Sequence, residues 1–181
     1  MMTAKIAPPG ELSLVAGREH THGTIHNLIS KSPFFSNLED DEIEMLAVWV
    51  KAYSAPTGTV ILKEGDGNAC LCVVAEGKIN IIKKIFPGEM QDEEEVKIAE
   101  INAGDSIGEM GVIDGQPLSA TAISSENSVV LIITREDFQN LLVKNSNLGV
   151  KILSKVAQVL SIRLRLTTGR LADLLASKKK T

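Results

Sequence analysis

Residues 108–122 read GEMGVIDGQPLSATA: Gly108-Glu109, a short apolar stretch from Met110 to Ile113, then Gly115-Gln116-Pro117 and the small residues that follow Leu118. A segment of this kind can present several backbone N–H groups around one point, which is how loops and helix starts hold anions. No Lys or Arg lies between Gly108 and Ala122. A complete anion site needs a cation from elsewhere in the chain.

Other chemically able residues are few. Cys70 and Cys72 are separated by one residue in a strand-like run, where bridging them would strain the backbone, and the residues around them offer no further metal ligand. They read as small buried hydrophobes. His20, His22 and His26 are the only histidines; without a Cys, and with Glu19 as the one adjacent acid, they read as incidental polar residues rather than metal ligands. No nucleophile stands with a base in a recognisable motif, so no catalytic residue is assigned.

The elements that must position these residues follow from composition and period. The chain has 181 residues, enough for one core with appended helices. Its formal charge is -4, from 19 basic and 23 acidic side chains, so no general field attracts nucleic acid or anionic lipid. Aromatic residues make up 3%, which leaves few platforms for stacked bases. No stretch approaches a membrane span and Met1–Gly17 lacks a signal-peptide layout, so a cytoplasmic protein is expected. The local basic exceptions are Lys83-Lys84 and Lys178-Lys179-Lys180, the latter read as a solvated helix end.

Residues 1–24 carry Pro8-Pro9 and little periodicity, and read as a flexible leader. A helical pattern begins at Ile25, breaks at Pro33 and resumes near Leu38, with Glu39, Asp40, Asp41 and Glu42 in the first turn. Short β-branched runs then recur at 60–62, 70–75, 78–82, 96–101, 119–124 and 129–133, separated by glycine-rich turns. This spacing predicts a sandwich or barrel. The acidic run 92–95 falls in a long hairpin loop. Thr134 and Asp137 have the spacing of a capping box, so a helix starts there, breaks at Asn145-Ser146-Asn147, and gives way to a longer one.

That last helix carries two apolar stripes. Leu153, Val156, Leu160, Leu164, Leu171 and Leu174 form one; Leu148, Ile152, Val159, Ile162 and Leu166 form the other. One domain surface covers one stripe, so the second predicts a homodimer through the same helix of another copy. Gly169 weakens the helix locally by about 1 kcal/mol.

These parts, in this order, resemble the cyclic nucleotide-binding domain of catabolite activator proteins, protein kinase A regulatory subunits and gated channels. The resemblance runs from about Pro33 through the last helix. It rests on Ser32-Pro33-Phe34-Phe35, Pro56-Thr57-Gly58-Thr59-Val60-Ile61, Glu64-Gly65-Asp66, Val74-Ala75-Glu76-Gly77 and Gly104-Asp105-Ser106-Ile107-Gly108-Glu109. It implies a mainly β fold with flanking helices: a jelly-roll barrel over 25–145, with an N-terminal helical segment. A long dimerisation or lid helix with a basic tail would then occupy 146–181.

By position, the resemblance implies that Gly108, Glu109, Met110, Leu118, Ser119 and Ala120 form the phosphate-binding cassette. Glu109 would accept the ribose 2′-hydroxyl, amides near Gly108, Ser119 and Ala120 would face the cyclic phosphate, and Ser119 would add a hydroxyl. Leu118 stands where the family keeps its phosphate-pairing Arg. A charge-assisted contact of that kind is typically worth ~1.5–3 kcal/mol, so affinity for cAMP or cGMP is expected to be weak or absent. Arg163 lies between the two stripes, near where the family places ligand-contacting residues. Either it reaches the pocket, or its stem packs while its head snorkels or pairs across a dimer.

The catabolite activators' DNA-reading domain has no counterpart here, so no nucleic acid or membrane partner is expected. The function expected is a non-catalytic regulatory module of cyclic nucleotide sensor type with a degenerate cassette, acting on an unknown effector. The alternative is a ligand-free or differently liganded interaction module on the same fold. A metal enzyme on a related barrel would need histidines inside it, whereas all three precede the first predicted strand.

Overall fold

A computed structural model describes residues 12–16, 22–86 and 94–178. Two antiparallel sheets face one another. One carries β1 (Ser13–Ala16), β2 (Lys51–Ala55), β9 (Ser128–Thr134), β4 (Cys70–Glu76) and β7 (Ser106–Ile107) in that order. The other carries β3 (Val60–Leu62), β8 (Thr121–Ser124), β5 (Lys78–Ile85) and β6 (Glu94–Asn102). This is the jelly-roll arrangement that the family resemblance implies, within the sandwich or barrel that the strand spacing predicts.

Strands β4 and β9 are buried on both faces because they separate two cores. Cys70, Cys72 and Val74 point with Val130 and Ile132 into the space between the sheets, where Ile61, Leu62, Ile79, Ile101, Ile107, Leu118 and Ala122 join them. The alternate residues Leu71, Val73, Leu131 and Ile133 face the helices instead. Side chains of period two serve both layers, so these strands read as continuous apolar runs. Cys70 and Cys72 are free and buried among these apolar groups, as the sequence indicates. Burial pushes the Cys70 thiol up to about 12 and the Cys72 thiol up as well, so neither is a ready nucleophile.

The helical layer comprises α1 (His22–Lys31), a 3-10 turn at Pro33–Phe35, α2 (Asp40–Ala47), α4 (Arg135–Lys144) and α5 (Ser146–Lys178); the short α3 (Glu109–Asp114), between β7 and β8, joins the same core through Val112. Phe34 and Phe35 meet edge to face, with ring centroids 4.9 Å apart, and anchor the turn in the helical core. The Glu39 N–H donates to Glu42 Oε2 at 2.9 Å, closing the acidic first turn of α2. Thr134 caps α4 by accepting from the Asp137 N–H at 3.0 Å.

Several elements depart from the sequence expectation. Ser13–Ala16, within the segment read as a leader, pairs antiparallel with β2, and α1 begins at His22 rather than Ile25. Strand β2, KAYSA, has small and polar residues and no β-branched run; pairing with β9 on one side and β1 on the other makes it a strand. Glu94 and Glu95 of the acidic run lie in β6, while Asp92 and Glu93 fall outside the described residues. The expected strand 119–124 begins at Thr121, because Leu118 is bonded to the 65–66 turn instead.

Helix α5 runs unbroken through Gly169. Its buried seam, Leu148, Ile152 and Val156, draws on both predicted stripes, with Val159 and Leu160 half-buried beside it. Beyond that the helix leaves the barrel: Leu164, Leu171 and Leu174 are 68%, 56% and 63% exposed. No helix among the described residues is long and apolar enough to cross a membrane.

Candidate functional site

The GEMGVIDGQPLSATA segment folds as a strand end, one short helix and a return. Ser106 and Ile107 pair with Val73 and Cys72, Gly108 turns the chain, α3 follows, Gly115 turns it again, and β8 receives it at Thr121. Gly108 adopts φ +81°, and a Cβ there would lie 2.1 Å from the Cys70 carbonyl oxygen. Only glycine permits both the left-handed turn and that close approach. This fixes where α3 starts, and hence where its first residue points.

That residue, Glu109, is 3% exposed. Its Oε1 accepts the Ser106 hydroxyl at 2.5 Å, and both carboxylate oxygens accept Arg163 Nη1 at 2.9 Å. Arg163 Nη2 donates to the Ser106 carbonyl at 2.5 Å. A buried carboxylate is therefore satisfied by one hydroxyl and one guanidinium, and that guanidinium arrives from α5. Arg163 thus meets Glu109 from the same chain.

Leu118 lies at the other end of the cassette. It is 7% exposed and packs in the core between the sheets. Its N–H donates to the Asp66 carbonyl at 2.9 Å and its carbonyl accepts from the Gly65 N–H at 2.8 Å, so the return segment is stitched to the turn after β3. Ser119 is exposed and Ala120 half-buried. Met110 is 54% exposed, on the outer side of α3.

One cation does approach this end. Ile79 and Ile81 face the barrel interior, and Lys83 continues that alternation. Its ammonium donates to the Ser119 carbonyl at 2.7 Å and to Glu64 Oε1. Glu64 Oε2 also accepts the Lys84 N–H at 3.1 Å. Lys83 first, and this backbone N–H second, hold the Glu64 carboxyl below its ordinary range.

Sequence reading picked out Glu109, Leu118 and Arg163 but passed over Ser106, Glu64 and the inward direction of Lys83. The alternation Ile79, Ile81, Lys83 carried the last of these. The pairing of Ser106 with Glu109 had no sequence signal beyond a three-residue separation.

The histidines lie elsewhere. His26, on α1, pairs through Nε2 with Asp40 Oδ1 at 2.9 Å; His20 falls outside the described residues. Among the described residues, no group of three or more His, Cys, Asp or Glu side chains is placed to hold a metal ion.

The barrel and cassette so built match the family described as "Cyclic nucleotide-binding domain" over residues 53–145, just over half of the chain. The chain belongs to that family. It is similar to a cyclic nucleotide-binding domain from Methylobacillus flagellatus, with 30% identity and a TM-score of 0.74, over 90% of this chain and 88% of that one. The catabolite activator protein of Thermus thermophilus superposes with a TM-score of 0.66 at 29% identity, over 80% of this chain and 63% of that one. In sequence, the cyclic AMP receptor protein of Thermus thermophilus is 29% identical over 111 residues, 61% of this chain and 49% of that protein. The cGMP-dependent protein kinase egl-4 of Caenorhabditis briggsae is 30% identical over 122 residues, 67% of this chain and 16% of the kinase. The chain thus spans about half the length of the receptor and a small part of the kinase.

Proposed function

We propose that this chain is a non-catalytic, cytoplasmic regulatory module of cyclic nucleotide sensor type, in which the state of the cassette is transmitted to α5. The observation that carries this reading is the contact of Arg163 with Glu109. The carboxylate expected to meet the ribose is held by the helix expected to signal. A ligand that changes how Glu109 is satisfied changes what holds α5, and it shifts the equilibrium by its difference in affinity for the two arrangements.

Affinity for cAMP or cGMP is low in this reading. Leu118 supplies no charge, and Arg offers a planar fork of donors that Leu cannot imitate. The loss of ~1.5–3 kcal/mol corresponds to one to two orders of magnitude. Glu109 and Arg163 are assigned to the ligand's ribose side, with Gly108, Ser119 and Ala120 toward the phosphate side; Met110, exposed on α3, is left without a contact role.

The output surface is the distal half of α5. Leu164, Thr167, Leu171 and Leu174 follow a three-four spacing, the seam of a two-stranded coiled coil. Their exposure favours a homodimer through this helix, with an effector of unknown identity downstream. The same surface supports a second reading, a dimeric scaffold that responds to no ligand.

Calorimetry with cAMP and cGMP on the wild type and Leu118→Arg separates them. Weak wild-type binding that tightens at least about tenfold in the variant is the expected result. Absence of binding to both proteins would sink the sensor and leave the scaffold.

A further inference from the structure

The Glu109 carboxylate is 3% exposed and already bonded on both oxygens. Its two side-chain partners differ in their access to solvent. Ser106 is wholly buried, whereas the Arg163 side chain is 34% exposed, so the way in from outside runs past the guanidinium. An incoming hydroxyl reaches this carboxylate once Arg163 has moved off it. That exchange replaces a cation by a neutral donor and leaves a buried carboxylate without its countercharge. The far end of the cassette offers little to offset this. Leu118 is buried and apolar, and the Lys83 ammonium is engaged with Glu64 and with the Ser119 carbonyl.

The same guanidinium fastens α5. Val156 is buried in the helical core, and Val159 and Leu160 are half-buried beside it. From Ser161 to Ser177 every residue is exposed except Arg163. Arg163 Nη2 donates to the Ser106 carbonyl at 2.5 Å while Nη1 meets Glu109, so one side chain ties the helix both to the end of β7 and to the start of α3. Covering Glu109 and holding the distal half of α5 are therefore one contact, and a ligand that takes the first undoes the second.

Resting on the sensor reading above, we propose that Arg163 is an internal competitor of the ligand. The chain without ligand holds α5 against its own cassette, and a ligand that bonds Glu109 frees the helix from Ser161 onward instead of fastening it. The coupling is reciprocal: whatever keeps α5 docked weakens ligand binding by the factor with which ligand loosens α5.

The test measures cAMP and cGMP binding by calorimetry to the full chain, Arg163→Met, Leu118→Arg and the double variant, with thermal melts verifying that each is folded. Loss of Arg163 is expected to tighten binding about tenfold or more, in whichever background at position 118 gives a measurable isotherm, because the uncovered carboxylate gains a partner. Hydrogen exchange supplies a second readout. Ligand should quicken exchange over residues 161–177 in the protein that keeps Arg163 and change it little in Arg163→Met; the first of these comparisons stands by itself if Arg163→Met does not fold. Unchanged or weaker binding on loss of Arg163, or exchange over 161–177 that ligand slows or leaves unchanged, overturns the competition and leaves the sensor standing. If none of the four proteins binds either nucleotide, both fall.

Discussion

Arg163 and Glu109 stand 54 residues apart in sequence and meet with one guanidinium nitrogen 2.9 Å from both carboxylate oxygens. One member is almost wholly buried and the other a third exposed. The pair is therefore a clasp between the cassette and α5, closed on its inner side and reachable on its outer.

Breaking that clasp leaves the buried carboxylate with Ser106 as its remaining side-chain partner. Arg163→Met should lower the unfolding free energy by ~1–3 kcal/mol, and a double-mutant cycle with Glu109→Gln should show non-additivity. Hydrogen exchange should quicken in the distal turns of α5 before it quickens in the barrel.

Leu118→Arg carries two opposed effects. It places a charge in the core between the sheets, so the unliganded variant should melt lower than the wild type, with a stability loss of ~2 kcal/mol or more. Saturating cAMP should restore part of that loss, because binding to the folded state stabilises it by mass action. Thermal melts with and without cAMP check both.

Gly108→Ala should be severely destabilising. The new Cβ meets a carbonyl oxygen of β4 at 2.1 Å, and the backbone is held in the left-handed region. A loss above ~2 kcal/mol in denaturant titration is expected. Gly23→Ala, where a Cβ would meet nothing within 4 Å, serves as the control.

The barrel was legible in sequence because β-branched runs and glycine turns state their own geometry. Residues 70–75 and 129–133 became β4 and β9 with little change. Strand β2 was not legible: Lys51–Ala55 has no intrinsic strand pattern and is recruited by its neighbours. In the site, Glu109 and Leu118 were readable by position along one segment. The Glu64–Lys83–Ser119 contacts were not, since they join three separate segments and depend on which face of β5 turns inward. For α5, period alone gave two apolar stripes. Tertiary packing decides which part docks: Leu148, Ile152 and Val156 are buried in the helical core, Val159 and Leu160 are half-buried beside them, and Leu164, Leu171 and Leu174 are exposed.

Acid should loosen the junction of α2 and α5. The Lys151 ammonium, 2.7 Å from Glu42, is the main cause that holds this carboxyl below its ordinary value of 4.5, and the Glu39 N–H adds to it. A group depressed in the folded state contributes its full stability above the unfolded pKa and loses it as pH falls through the folded one. Glu42→Gln should therefore flatten part of the decline in stability below about pH 4.5. At neutral pH it should cost ~0.2–1 kcal/mol, as for a solvent-facing pair.

Leu164→Lys with Leu171→Lys should leave the barrel's melting little changed, since both side chains are exposed in the single chain. Sedimentation is then expected to report a dimer for the parent protein and a monomer for the variant. An unchanged sedimentation coefficient would remove the paired-helix output surface.

Helix α5 is fastened near its beginning and free over most of its remaining length. From Val156 to Lys178 it extends about 33 Å at the ordinary rise per residue, with Arg163 as its last tie to the cassette. A tilt of about 10° at the docked seam would sweep the far tip by roughly 6 Å over such a length. Such a tilt would be geared: a displacement of about 2 Å at the turn bearing Arg163 would become roughly three times as large at the other end of the rod.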